Sequence, residues 1–455
     1  MLKCQFNFVF LLASFVLLQS TAVSQSVIKP ETALQAYLDN GDKRFEWKIR
    51  ESYSAAENVK AYSLMLTSQQ WHEYIWTHEL IVLVPAEIRY DGALLFITGG
   101  SNKKGIPNWT RKNDELVSAL GAIASKNNGI VAIIRQTPNQ PLYGKLTEDA
   151  LISYTLHNFK EDGDYSWPLL FPMVKSAVKA MDAIQEFAKK ELDTDITKFV
   201  VSGASKRGWT TWLTGANDSR VAAIAPMVID VLNMPVNLDY QVEMLKGYSE
   251  QIEDYVKLEI PQTMTSEKGR AITTMVDPYA YRKKLTMPKM IFMGTNDEYW
   301  TVDAIKHYID SIPGENYVHY VPNVGHDLGD KKQALRALSA FFGATISGRP
   351  YTDCDWSIAF DKKRITLKAT ATPASLVSAA LWSADSEDTD FRDNKWTSSE
   401  VKLKRKSETV TSIVSYPETG YRAFYLELKY KDVNGGEYSK STRMFFGDDD
   451  EVFVH

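Results

Sequence analysis

At 455 residues and a formal net charge of −5, with 44% hydrophobic and 24% charged residues, the chain has ordinary globular composition and is too long for one typical domain. The acidic balance excludes the basic footprint that holds nucleic acid, so no nucleic-acid partner is expected. Two cysteines, Cys4 and Cys354, exclude a disulfide scaffold, so the core must hold by packing.

Residues 1–24 read as a signal peptide. Lys3 precedes an apolar run from Phe6 to Leu18, and Ala22-Val23-Ser24 supplies small residues for cleavage before Gln25. The run is short for a bilayer span, and no later stretch is long and apolar enough. The expected product is exported, secreted or periplasmic, without stable membrane insertion, and keeps only Cys354.

Residues 25–85 form an N-terminal lead-in packed on the core, with a strand at Ala61–Thr67. Residues 86–348 alternate strand-like and helix-like patterns, which implies βαβ units and a mainly parallel sheet. The strands are short apolar runs ending in turn residues: Ala93–Ile97, Ile130–Ile134, Phe199–Val201, Ala223–Ile229 and Met290–Met293. Val174, Ala177, Val178, Met181, Ile184 and Phe187 make one helical stripe, and a last helix runs near 331–343. Residues 231–285, rich in helix formers between two core strands, are longer than a crossover needs and read as a helical cap insertion. Residues 355–455 alternate as β-strands at Ile365–Thr370, Tyr421–Leu428 and Thr442–Phe446, with Asn434-Gly435-Gly436 as a turn; this predicts a C-terminal β-sandwich.

The chemistry gathers around Ser202-Gly203-Ala204-Ser205-Lys206-Arg207-Gly208, between a strand and a helix near Trp209. That is the context of a nucleophile elbow, where a sharp turn lifts the serine hydroxyl above the sheet edge of an α/β-hydrolase fold. The spacing Gly-x-Ser-x-x-Gly moves the second glycine by one from the commoner pattern. A serine needs a base to be nucleophilic at neutral pH, and in this fold the order is serine, acid, histidine. His326 follows a strand-like run containing His319 and lies in a loop before the last helix, so it is the candidate base. Asp297, after the strand ending at Gly294, is the candidate acid. Its neighbour Glu298 and Asp230, at the end of the previous strand, are the alternatives. Oxyanion donors are expected from the N–H of Lys206 and from Gly100 or Ser101 in the Gly99-Gly100-Ser101 loop. Lys206 and Arg207 could bind an acidic substrate group or be salt-bridged, and Gln136–Tyr143 is a candidate pocket wall. His72 and His78 lack a third ligand at metal-site spacing and read as structural. No metal or organic cofactor is implied.

Gly203–Trp212, with Thr67–Trp71, Pro138–Pro141, Glu148–Ile152 and Pro226–Asp230, resembles the PhoPQ-activated pathogenicity-related proteins over about residues 30–450. The resemblance implies an α/β-hydrolase core with a serine nucleophile position in exported proteins linked to virulence and to resistance against defence peptides. Some such relatives look like secreted growth regulators without established catalysis. The elbow is also similar to that of glucuronoyl and acetyl esterases. The leading expectation is a secreted serine esterase acting on a small-molecule, peptide or carbohydrate ester through Ser205, His326 and Asp297. The alternatives are a non-catalytic signalling or binding protein on the same fold and a carbohydrate esterase. The sequence leaves the substrate and the oligomeric state open.

Overall fold

The computed structural model describes residues 28–454; the signal peptide expected at residues 1–24 lies outside them. The strands of the first part of the chain are β1 (Glu46–Ala56), β2 (Val59–Trp71), β3 (Tyr74–Pro85), β4 (Gly92–Ile97), the short pair β5 (Asn102–Lys103) and β6 (Ile106–Pro107), β7 (Ile130–Ile134), β8 (Lys198–Ala204), β9 (Val221–Met227), β10 (Lys289–Gly294) and β11 (Asn316–Val321). After them come β12 (Trp356–Asp361), β13 (Arg364–Thr370), β14 (Leu376–Ser386), β15 (Thr397–Glu400), β16 (Thr409–Val414), β17 (Tyr421–Lys431), β18 (Glu437–Ser441) and β19 (Phe445–Gly447).

One sheet runs in the order β1-β2-β3-β7-β4-β8-β9-β10-β11-β18-β17-β14-β15. From β7 to β11 neighbouring strands are parallel, and β3 joins β7 antiparallel. The parallel strands are continuous apolar runs because both of their faces are covered. Leu95, Ile97 and Val201 pack on one side with Phe171, Ala177 and Ile184 of helix Leu170–Leu192. Leu94, Phe96 and Val200 pack on the other with Leu120 of helix Glu115–Asn127 and Phe341 and Phe342 of helix Lys332–Ser347. This is the α/β-hydrolase arrangement. Residues 46–85 enter it as three antiparallel strands of the sheet itself. The outermost, β1, carries Lys48, Arg50 and Glu51 on a largely exposed face, which discourages further pairing at that edge.

The C-terminal strands form two layers, as the alternation predicted, but one layer is continuous with the central sheet. β18 meets β11 through Val318 and Ser441. The second layer is the three-stranded sheet β12-β13-β16, whose Ile365, Leu367 and Val410 pack with Phe424 and Leu426 of β17. The turn at Asn434–Gly436 joins β17 to β18, with Gly435 and Gly436 at φ +99° and +82°. Of the strand expected over Thr442–Phe446, only Phe445 and Phe446 are in a strand, β19; the ladder along β17 is interrupted at Thr442–Met444, where the Leu426 N–H donates to the Thr442 hydroxyl at 3.1 Å.

Between β9 and β10 the chain makes helices Met234–Leu245, Glu253–Val256 and Glu267–Val276 with short 3₁₀ turns, the cap insertion. The parallel strands point their carboxyl ends toward it, which is where open α/β sheets gather ligands. The loops at that end are tied to the loop between β14 and β15. Asn296 Nδ2 donates to the carbonyls of Arg392 and Asn394 at 2.9 and 2.8 Å. Asn323 exchanges two hydrogen bonds with the backbone of Trp396, at 3.0 and 2.8 Å. Replacing Asn296 by Ala strands those carbonyls and is expected to lower stability by about 1–3 kcal/mol, measured by urea unfolding.

Candidate active site

Ser205 sits between β8 and helix Lys206–Asn217 at φ +58°, ψ −128°. A non-glycine residue held there costs roughly 1–3 kcal/mol and persists only where its surroundings impose it. Two hydrogen bonds and two glycines impose it here. The Ser205 N–H donates to the Met227 carbonyl at 2.9 Å, and its own carbonyl accepts from Trp209 N–H at 2.9 Å. A Cβ at Gly203 would lie 2.9 Å from Arg207 Cβ and from the Ile97 carbonyl. A Cβ at Gly208 would lie 2.7 Å from the Met227 carbonyl. The displaced second glycine is thereby explained. Gly203 makes room for an arginine where the commoner pattern has glycine, and Gly208 lets the helix close onto the end of β9. The helix begins at Lys206, earlier than the expected start near Trp209, so the Lys206 N–H is one of the first-turn donors a helix leaves unpaired.

The predicted acid and base are joined. His326 Nδ1 lies 3.0 and 2.9 Å from the two carboxylate oxygens of Asp297. Glu298 does not touch the imidazole; its Oε2 accepts the backbone N–H of His326 at 2.8 Å. Gly325 is what lets it reach, since a Cβ there would stand 2.6 Å from Glu298 Oε1. Tyr299 stacks on the imidazole with centroids 4.0 Å apart, and its N–H donates to Asp297 at 2.9 Å. The run Asp297-Glu298-Tyr299 therefore holds His326 by side chain, backbone and ring face. Tyr299 and Gly325 escaped sequence reading; the signal was an aromatic pair, Tyr299-Trp300, directly behind the acid. Burial raises the Asp297 carboxyl above its ordinary range, against the lowering effect of His326. His326 Nε2 is buried and makes no hydrogen bond among the described residues, Ser205 Oγ included. With Nδ1 committed to Asp297, a neutral imidazole presents Nε2 as its free acceptor.

Asp230, the alternative acid, has no hydrogen bond to His326. It is buried, with Oδ1 unpartnered. Burial first, then the charges of Asp297 and Asp303, push its carboxyl from 3.8 up to about 8. His319 lies buried within β11, its Nδ1 2.9 Å from the Ser439 carbonyl.

Lys206 and Arg207 are salt-bridged and not free for an acidic substrate. Lys206 Nζ stands 3.1 Å from Glu148 and 3.0 Å from Asp149. Arg207 grips Glu148 with two nitrogens at 2.7 Å. Burial raises the Glu148 carboxyl, but Arg207 and Lys206 outweigh it and bring it down to about 2. The loop after β4 leaves the sheet beside Ser205, since Ile97 is opposite Gly203 in register. Gly100 is at φ +150°, and a Cβ there would meet Gln136 Nε2 at 2.9 Å. Gln136–Tyr143 does not form the cavity wall below. Gln136 and Gln140 bond inward, to the Glu79 N–H and to Glu148, and Tyr143 packs among Trp71, Tyr74 and Trp167. His78 is structural as expected, held by Ser68, Ser176 and the Arg135 carbonyl. No metal-ligating cluster occurs among the described residues.

A cavity of about 70 Å³ opens on Ser205, Lys206 and Tyr299. Its far wall is the cap, with Leu238, Ile252, Ile260, Met264 and Ile272.

Residues 34–392 match the family model described as "PhoPQ-activated pathogenicity-related protein". The chain belongs to this family. It is also similar to autocrine proliferation repressor protein A of Dictyostelium discoideum, 28% identical over 433 residues, which span 88% of this chain and 86% of that one. Among solved structures it is similar to acetyl xylan esterase 1 of Thermoanaerobacterium sp. JW/SL YS485, with a TM-score of 0.49 and 15% identity over 69% of this chain and 92% of that one. A glucuronoyl esterase of Solibacter usitatus gives a TM-score of 0.40 and 13% identity over 70% and 91%.

The two candidate acids separate by experiment. Asp297→Asn is expected to lower any esterase kcat by at least about a hundredfold, whereas Asp230→Asn leaves it within a few-fold. Because Asp230 is protonated in the fold and ionised when unfolded, it costs stability as pH rises from 3.8 toward about 8. Asp230→Asn should flatten that part of the melting-temperature profile.

Proposed function

We propose that this protein is an exported serine hydrolase acting on carboxylic esters. Ser205 Oγ attacks the ester carbonyl carbon while His326 Nε2 takes its proton. The tetrahedral oxyanion is held by the N–H of Lys206 and by a donor at Gly100 or Ser101. Collapse breaks the bond to the alcohol, which leaves with the proton from His326. Water then attacks the acyl-serine, giving its proton to His326, and the acid departs as Ser205 is restored. Asp297 orients His326 and stabilises the imidazolium.

The observation that carries this reading is the Asp297–His326 pair with Nε2 uncommitted, stacked on the Tyr299 that shares a cavity with Ser205. Nε2 makes no hydrogen bond to Ser205 Oγ here, and catalytic hydrogen bonds often tighten only when substrate binds. A fluorophosphonate probe is expected to label the purified protein on Ser205, read by peptide mass spectrometry. Labelling should vanish in Ser205→Ala and drop at least about a hundredfold in rate in His326→Ala. A folded wild-type protein that resists the probe would refute the proposal.

One comparison favours a second reading. Similarity to an autocrine proliferation repressor along most of both chains supports secreted signalling on this fold, with or without catalysis. A Ser205→Ala protein as active as wild type in a proliferation assay would select signalling without hydrolysis.

A further inference from the structure

We infer that the ester this site accepts carries an aliphatic chain, which the cap insertion encloses. The inference rests on the hydrolase reading above and adds the substrate class.

The cavity beside Ser205, about 70 Å³, holds roughly five water-sized groups, room for a slender chain of a few methylenes. The cap side chains Leu238, Ile252, Ile260, Met264, Ile272 and Val276 supply its far wall, and they are buried. Trp209 and Trp300 stand on the core side, and their indole N–H groups are spent elsewhere. Trp209 Nε1 donates to the Val276 carbonyl at 2.5 Å, and Trp300 Nε1 lies 3.5 Å from the Val228 carbonyl. They offer ring surface to the cavity while their polar handles bond to backbone.

The charged groups of the wall cancel. Lys206 and Asp149 pair with each other at 3.0 Å, and Tyr255 donates its hydroxyl to Asp149 at 2.9 Å. Glu148 takes up Arg207 and the remaining reach of Lys206. A sugar acid would need a free cation here, and a sugar ring would need unpaired donors and acceptors along the wall. An alkyl chain needs neither, and gains from each methylene it removes from water.

The test is a chain-length series. p-Nitrophenyl acetate, butyrate, octanoate and dodecanoate vary the acyl side, and the matching alkyl acetates vary the alcohol side. Acetylated xylo-oligosaccharides and a methyl glucuronate ester serve as competitors. We expect kcat/KM to rise about fourfold per methylene at the short end of one series, so that the octyl member exceeds acetate by a hundredfold or more. Ile272→Trp, or Met264→Trp should the first fail to fold, fills part of the cavity and moves the preference toward shorter chains. A flat or falling series, or faster turnover of the sugar esters, overturns the inference. To separate this from failure of catalysis, octanoate binding to Ser205→Ala is measured by titration calorimetry. Binding without wild-type turnover removes the hydrolase reading and leaves the aliphatic site standing. Fluorophosphonate labelling without octanoate binding does the reverse.

Discussion

The site depends on how closely one helix can approach two strands. Helix Lys206–Asn217 starts directly behind β8, and its first turn presses against the last carbonyl of β9. Only glycine at 203 and at 208 permits that approach, because a methyl group at either would collide with backbone oxygen. The strain this puts into Ser205 is the reason its hydroxyl stands at the sheet's edge and is not folded back into the helix.

The same turn creates an electrostatic problem. It brings the Lys206 and Arg207 side chains into a largely buried position beside the cavity, where unpaired cations would be costly. Glu148 and Asp149, at the start of helix Glu148–Asp162, resolve it. Glu148 itself is held at φ +51°, fixed by Arg207 and by a reciprocal pair of hydrogen bonds with Gln140. The ionic cluster therefore fixes the loop beside the elbow and leaves the cavity without net charge.

The other half of the site is held from the opposite direction. Asp297 and His326 stand on loops after β10 and β11, and those loops are fastened to residues 391–396 by Asn296 and Asn323. The segment between β14 and β15 thus holds in place the loops that carry Asp297 and His326.

The sequence determined what depends on local pattern. Uniformly apolar runs marked the parallel strands because strands covered on both faces admit little else, and small residues around Ser205 marked the turn because only they fit it. Asp297 and His326 were found by their place after successive strands, which is topology read along the chain. Tertiary structure alone decided what depends on distance in space: that Asp297 and not Asp230 meets the imidazole, that Glu298 holds backbone, and that Glu148 cancels the cations. It also decided that the C-terminal strands would join the central sheet. Edge pairing is made by backbone groups every residue carries, and an ion pair is chosen by which side chains converge. Neither leaves a periodic mark in the order of residues.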